Sequence, residues 1–128
     1  MINEVIRFTI DIPPTTKKNH SQIIKVKGRP IIIPSKQYKE FENACFDYMP
    51  NIETINYPIN LCCIYYMPTR RRVDLTNLLA ATCDILVKYK VIEDDNSQIV
   101  YSHDNSRVFY SKEKPRTEII ITRVNVNE

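Results

Sequence analysis

The chain has 128 residues and a mass of 15.1 kDa, room for one domain spanning residues 1–128, and its 43% hydrophobic and 26% charged content is an ordinary globular balance. Its single glycine, Gly28, excludes a P-loop, a dinucleotide fingerprint and a nucleophile elbow, so no nucleotide cofactor is expected. The net charge of +3 averages two unlike parts: seven cations and no acid between Pro13 and Lys39, then five acids against two lysines between Asp84 and Asp104. In chain order, Val5–Ile12 alternates, with Ile6, Phe8, Ile10 and Ile12 on one face, and reads as a strand stopped by Pro13-Pro14. The polar stretch after it is a loop. Ile23–Lys27 and Pro30–Pro34 read as a hairpin about Gly28. Ser35 is placed to cap a helix that ends before Pro50.

Tyr57–Met67 is apolar almost throughout, which predicts a strand buried on both faces, central in a sheet or at a subunit interface. Asp74 to about Lys90 is the clearest helix. Leu75, Leu78, Leu79, Thr82, Ile85, Leu86 and Tyr89 make its apolar stripe, and Thr76, Asn77, Ala80, Asp84 and Lys88 the opposite one. Asp84 and Lys88 are spaced for an i,i+4 ion pair. Gln98–Tyr101 and Arg107–Tyr110 are short strand candidates with an Asx-type turn in HDNS between them, and Thr117–Val124 is the final strand. The order, β-ββ-α-β-α-ββ, predicts an α+β domain: a mixed sheet of about five to six strands with two main helices on one face.

Cys45, Cys62, Cys63 and Cys83 lack CxxC spacing, and His20 and His103 are too far apart for a local ligand motif, so buried thiols in a reducing compartment are expected. No signal-peptide core and no membrane-length apolar run is present, which predicts a cytoplasmic protein with no membrane partner.

The chemistry concentrates in residues 65–99. Arg70-Arg71-Arg72 close a strand, Asp74 starts a helix, and Asp94-Asp95 lie just past that helix. Carboxylates that hold Mg²⁺ beside arginines that clamp phosphate are the parts phosphodiester hydrolysis needs. Each part has a plainer reading: Asp74 as an N-cap, Asp94-Asp95 as a solvated turn, the arginines as an exposed loop. Asp74 and Asp84 are ten residues apart, about 15 Å along a helix, so within one chain they do not share an ion. The Asp94-Asp95 loop is the candidate partner for Asp74 if the chain folds back.

The series Met67-Pro68, Arg70-Arg71-Arg72, Asp74-Leu75, Asn77-Leu78, Asp84, Leu86, Asp94-Asp95, Gln98 and Val100 resembles the RusA family of Holliday-junction resolvases. The strand before Pro13-Pro14, the basic loop after it and the C-terminal strand with Thr117 and Glu118 fit the same pattern. The resemblance implies a homodimeric, Mg²⁺-dependent endonuclease (Mn²⁺ substituting) that cuts four-way DNA junctions in recombination and repair, in a bacterial host and of phage or prophage origin. It implies Asp74 and Asp95 as catalytic metal ligands and Asp94 as an additional one. Two positions depart from the pattern: Thr76 stands where the family has a second aspartate, and Ala80 where it has a lysine. Asp84 is then a further possible ligand. Lys17, Lys18, Asn19, Lys25, Lys27, Arg29, Arg70, Arg71 and Arg72, with Ser21, are expected to contact DNA phosphates without reading sequence. The alternative is a junction-binding protein of the same fold whose catalysis is impaired by Thr76 and Ala80. A generic interaction domain with a charged surface is the third reading.

Overall fold

The computed structural model describes residues 5–17 and 21–126, the side chains of residues 21–24 and 32–34 excepted. Lys18, Asn19 and His20 therefore lie outside the described residues. β1 (Val5–Ile10) is followed by β2 (Ser21–Val26) and β3 (Arg29–Pro34). These two form a separate two-stranded sheet whose Val26–Arg29 pair is closed by Lys27 and Gly28. Both loop residues have positive φ, 53° and 78°, the backbone hand that lets a two-residue loop follow the strand twist. Helix α1 (Lys36–Cys45) starts where expected, with Ser35 Oγ accepting the Tyr38 N–H at 3.1 Å. A 3₁₀ turn over Phe46–Tyr48 carries the chain to Pro50.

The main sheet has five strands. Its core is β4 (Ile59–Met67), antiparallel to β7 (Arg116–Arg123), which is in turn antiparallel to β1. On its other side β4 pairs in parallel with β5 (Val100–Ser102) near its start and with β6 (Arg107–Tyr110) near its end. The two short strands thus share one long partner rather than pairing with each other. Asn60 holds the turn between them: its Oδ1 accepts from Asp104 N at 2.7 Å and from Ser102 Oγ at 2.6 Å. Within the turn Ser106 N bonds the His103 carbonyl at 3.1 Å and Asn105 has φ 70°, and among the described residues the expected internal Asx bond is not formed.

Helix α2 (Leu75–Lys88) lies on the face of β4 that carries Ile59, Leu61, Cys63 and Tyr65. Leu78, Ile85 and Leu86 pack there with Ile119 and Ile121 of β7, and Tyr65 Oη meets Thr82 Oγ1 at 2.7 Å. Helix α1 docks on the C-terminal end of α2 through Tyr89 Oη to the Glu42 carbonyl (2.8 Å) and Lys88 Nζ to Glu42 Oε1 (2.6 Å). The expected Asp84–Lys88 pair therefore does not form: Lys88 takes Glu42, and Asp84 takes Lys17 at 3.0 Å. An exposed i,i+4 pair is worth only a few tenths of a kcal/mol, so a well-placed distant partner displaces it.

With both helices on one side, the other face of the sheet stays open. Tyr57–Met67 was expected to be buried on both faces, central in the sheet or at a subunit interface; the strand is central, and within the single chain Cys62 alone is buried on the open face, with Ile64 and Tyr66 partly exposed. All four cysteines are free and buried. Among the described residues no helix is long and apolar enough to cross a membrane.

Candidate functional site

The end of β4 and the start of α2 are joined by Pro68–Val73, which runs against the segment Pro13–Thr16 that leaves β1. Between them lies a groove of about 450 Å³, lined by Pro14, Thr16, Gln37, Pro68, Arg71 and Arg72. The prolines at both chain reversals stop their strands and leave side chains, not backbone ladders, to line the groove. Arg71 and Arg72 are exposed and form no ion pair among the described residues, so their guanidinium groups are available to an anion. Arg70 is held differently: its guanidinium sits 4.3 Å over the Tyr110 ring at the end of β6.

Asp74 follows this loop as the residue preceding α2. Its backbone carbonyl accepts from Asn77 and Leu78 N–H, at 3.1 and 3.2 Å, and starts the helix. Its carboxylate caps nothing on the backbone; Oδ2 takes only the Asn77 side-chain amide at 3.3 Å. The capping role that sequence alone allows is thus left to the carbonyl, and the exposed carboxylate keeps acceptor capacity. Further along the helix, Thr76, Ala80 and Asp84 lie on the exposed stripe of α2, with Asp84 paired to Lys17.

The second acidic element sits at the other end of the helix. Tyr89 ends α2, and Lys90 adopts φ 60° so that Lys90 N bonds Val87 O (3.1 Å) and Val91 N bonds Leu86 O (2.9 Å), a Schellman closure. Ile55 N to Val91 O and Glu93 N to Ile55 O, both 2.9 Å, then pin residues 91–93 beside the chain that leads into β4. The loop of Asp94 and Asp95 follows. Asp94 is spent on the loop itself: Oδ1 accepts from Asp95 N at 2.7 Å and Oδ2 from Asn96 Nδ2 at 3.0 Å. The Asp95 N–H, then the Asn96 amide, hold the Asp94 carboxyl below its ordinary value. Asp95 is exposed and its carboxylate accepts no hydrogen bond among the described residues.

These placements separate the predicted ligands. β4 and β5 are parallel, so α2 carries the chain from the end of β4 back toward its start. Asp74 is at one end of a 14-residue helix, about 21 Å long, and the Asp94-Asp95 loop follows the other. Asp95 is felt by Cys83, in the C-terminal half of α2, where burial first and then the Asp95 and Asp84 charges push the thiol up to about 12. Among the described residues no three His, Cys, Asp or Glu side chains of the chain cluster as a metal site.

The remaining cations are spread out. Lys25, Lys27 and Arg29 are exposed on the β2–β3 hairpin, and Lys17 is tied to Asp84 with its ammonium 5.5 Å from the Tyr38 ring centre. Sequence reasoning missed Thr16 and Gln37 in the groove and the aromatic residues at the end of β6. The paired aromatics Tyr65-Tyr66 and Phe109-Tyr110 were the available signal for the latter, since adjacent strand residues put one aromatic on each face.

Residues 11–122 match the family model described as Endodeoxyribonuclease RusA. The match takes in the groove, the arginine loop, α2 and both acidic elements. No curated protein matches the chain.

Proposed function

Because the chain belongs to the RusA endodeoxyribonuclease family, a family of Holliday-junction resolving nucleases, we propose that it is a homodimeric, divalent-cation-dependent endonuclease that opens four-way DNA junctions by paired nicks. The observation that carries this reading is the Asp74 carboxylate. It follows the groove residues Arg71, Arg72 and Val73 directly in the chain and is not consumed by capping its own helix. Asp74 and Asp95 are hard oxygen donors with capacity to spare, which suits Mg²⁺ or Mn²⁺. They would hold the ion, with Asp94 as an additional acid already engaged in its own loop. Because Asp74 and Asp95 belong to opposite ends of α2, a two-fold copy of the chain is what lets both kinds of carboxylate share an ion, and the same symmetry presents two sites to a junction. A bound divalent cation would supply Lewis-acid polarisation of the scissile phosphate and a more acidic attacking water.

The chain's own groups do the rest. Arg71 and Arg72 bind the phosphate and offset the charge that builds on its non-bridging oxygens as one P–O bond forms to water and another breaks to the sugar. The exposed hairpin cations hold neighbouring phosphates and position the duplex arms without reading bases. A second reading, junction binding without cutting, is favoured by Thr76 and Ala80: both sit exposed on the polar stripe of α2, where nothing in the packing demands a neutral side chain.

The test is a synthetic four-way junction incubated with the purified chain and Mg²⁺. Paired nicks that vanish in Asp74→Asn, with junction binding retained, support the nuclease. No cleavage with Mg²⁺ or Mn²⁺ despite tight junction binding refutes it in favour of the binder, and cleavage gained only in Thr76→Asp supports that same conclusion.

A further inference from the structure

The face of the sheet opposite the helices carries a row that neither the fold nor the carboxylate site uses. Tyr66 is the direct register partner of Phe109 on β6 and of Arg116 on β7, so all three side chains rise from the same face. The Tyr66 and Phe109 rings stack at 5.4 Å with planes 24° apart. The Arg116 guanidinium lies 3.7 Å from the Tyr66 ring centre and is fixed by Glu118 Oε2 at 3.0 Å and the Lys114 carbonyl at 2.9 Å. Since β6 and β7 flank β4, Arg116 and Phe109 lie on opposite sides of Tyr66. The result is a pile of planar groups, Arg116–Tyr66–Phe109, that ends on the outermost strand. Phe109 is 46% exposed there, an unusual setting for a phenylalanine whose other face is already stacked.

Charge on this face is one-sided. Within the paired residues of the strands, the register places Arg7, Arg107 and Arg116 on it and one acid, Glu118, which Arg116 pairs with. The arginine loop meets the same strand from the opposite face: Tyr110, next to Phe109, carries Arg70 there, and Ser111 N bonds Met67 O at 2.9 Å where β6 leaves β4. An aromatic surface with an open end and cationic flanks matches an unpaired nucleotide, which has a flat face to stack and a phosphate on each side.

We infer that Phe109 is the open end of a stacking platform for an unpaired DNA base, with Tyr66 and Arg116 backing its ring and Arg107, two residues away on the same face, taking a flanking phosphate. This rests on the junction-nuclease reading and names the part of the substrate this face takes: the bases that unpair at the branch point. A base on the free face of Phe109 extends the pile by one plane and reads no sequence, because every base has a π-face.

The experiment uses the full chain in EDTA, so that binding is read without cleavage. Affinities are compared for oligothymidylate, a blunt duplex of equal length and a four-way junction with 2-aminopurine at the branch point. Phe109→Leu keeps the position apolar and uncharged but removes the π-face, and Phe109→Trp restores one. The expected result is that Phe109→Leu binds oligothymidylate about tenfold more weakly and changes the 2-aminopurine signal, with duplex affinity and salt slope unchanged, while Phe109→Trp behaves as the parent chain. Unchanged oligothymidylate binding in Phe109→Leu overturns the platform, as does equal loss on all three DNAs. A change in sedimentation mass also overturns it, because the face is then a contact between copies of the chain. If the parent chain binds none of the three DNAs, the junction-nuclease reading itself fails.

Discussion

Replacing Asp74 with alanine separates the two roles its position allows, and the chain carries its own control in Ser35. At α1 the side-chain cap is real and buried: Ser35 Oγ takes the Tyr38 N–H at 3.1 Å, so Ser35→Ala leaves that donor without its partner and costs about 1–2 kcal/mol. At α2 the Asp74 carboxylate takes no backbone N–H. Alanine there removes one exposed contact with Asn77 and a negative charge near the helix N-terminus, together about 0.3–1 kcal/mol. A chain of this size loses roughly 3–5 °C of Tm per kcal/mol. Urea and thermal unfolding at pH 7, followed by circular dichroism, should therefore rank Ser35→Ala as clearly the more destabilised. The Asp74→Ala protein, nearly as stable as the parent, should bind junctions and leave them uncut. An Asp74→Ala loss equal to or larger than that of Ser35→Ala would refute the reasoning, because the carboxylate would then be serving the helix.

Further outcomes follow from the same geometry. Thr82 Oγ1 donates to the Leu78 carbonyl at 3.0 Å, so it must accept from Tyr65 Oη. Tyr65→Phe then leaves Thr82 satisfied and costs about 1 kcal/mol, whereas Thr82→Val strands a buried phenol beside only the weakly accepting Cys63 sulfur and costs about 1–3; chemical denaturation reads the order. Lys90→Gly should stabilise by about 1 kcal/mol, since a side chain at φ 60° is strained there, and a lower Tm would count against the Schellman closure. Burial pushes the Cys45 and Cys83 thiols up to about 12 each, so iodoacetamide at pH 8 should label the native chain slowly and all four cysteines after unfolding. The Asp94 carboxyl should titrate by NMR below 3.8; a depressed value means that its loop bonds contribute above the unfolded pKa and are lost as pH falls through the folded one, and Asp94→Asn should erase that acid-side dependence.

How much of this was legible in the sequence depends on range. The alternation of Ile6, Phe8 and Ile10 and the 3.6-residue spacing of Leu75, Leu78, Ile85 and Leu86 are local properties, and the strand and helix they predict are present. Gly28 marked its hairpin turn because it sits at positive φ there. The arginine loop and both acidic elements were also legible, since they are contiguous words in the chain. What each acid does was not. Asp74 at a helix start reads identically as a cap or as a free carboxylate, and only the atoms that reach Oδ2 distinguish them.

By itself, then, the sequence determined the α+β class, both helices, the apolar strand within Tyr57–Met67 and the family, because each of these is written in residues near one another, while the order β-ββ-α-β-α-ββ falls one strand short of the three that follow α2. The tertiary structure decided which distant groups meet. Asp84 pairs with Lys17 across 67 residues and not with Lys88 one turn away, because sheet and helix packing set that approach and the local pair was too weak to compete. Parallel pairing of β4 with β5 set Asp74 and Asp95 at opposite ends of α2. Register alone brought Phe109, Tyr66 and Arg116, from three separate segments, into one row. Hydrogen bonding between strands fixes such rows residue by residue, and no periodicity within a single strand contains the information.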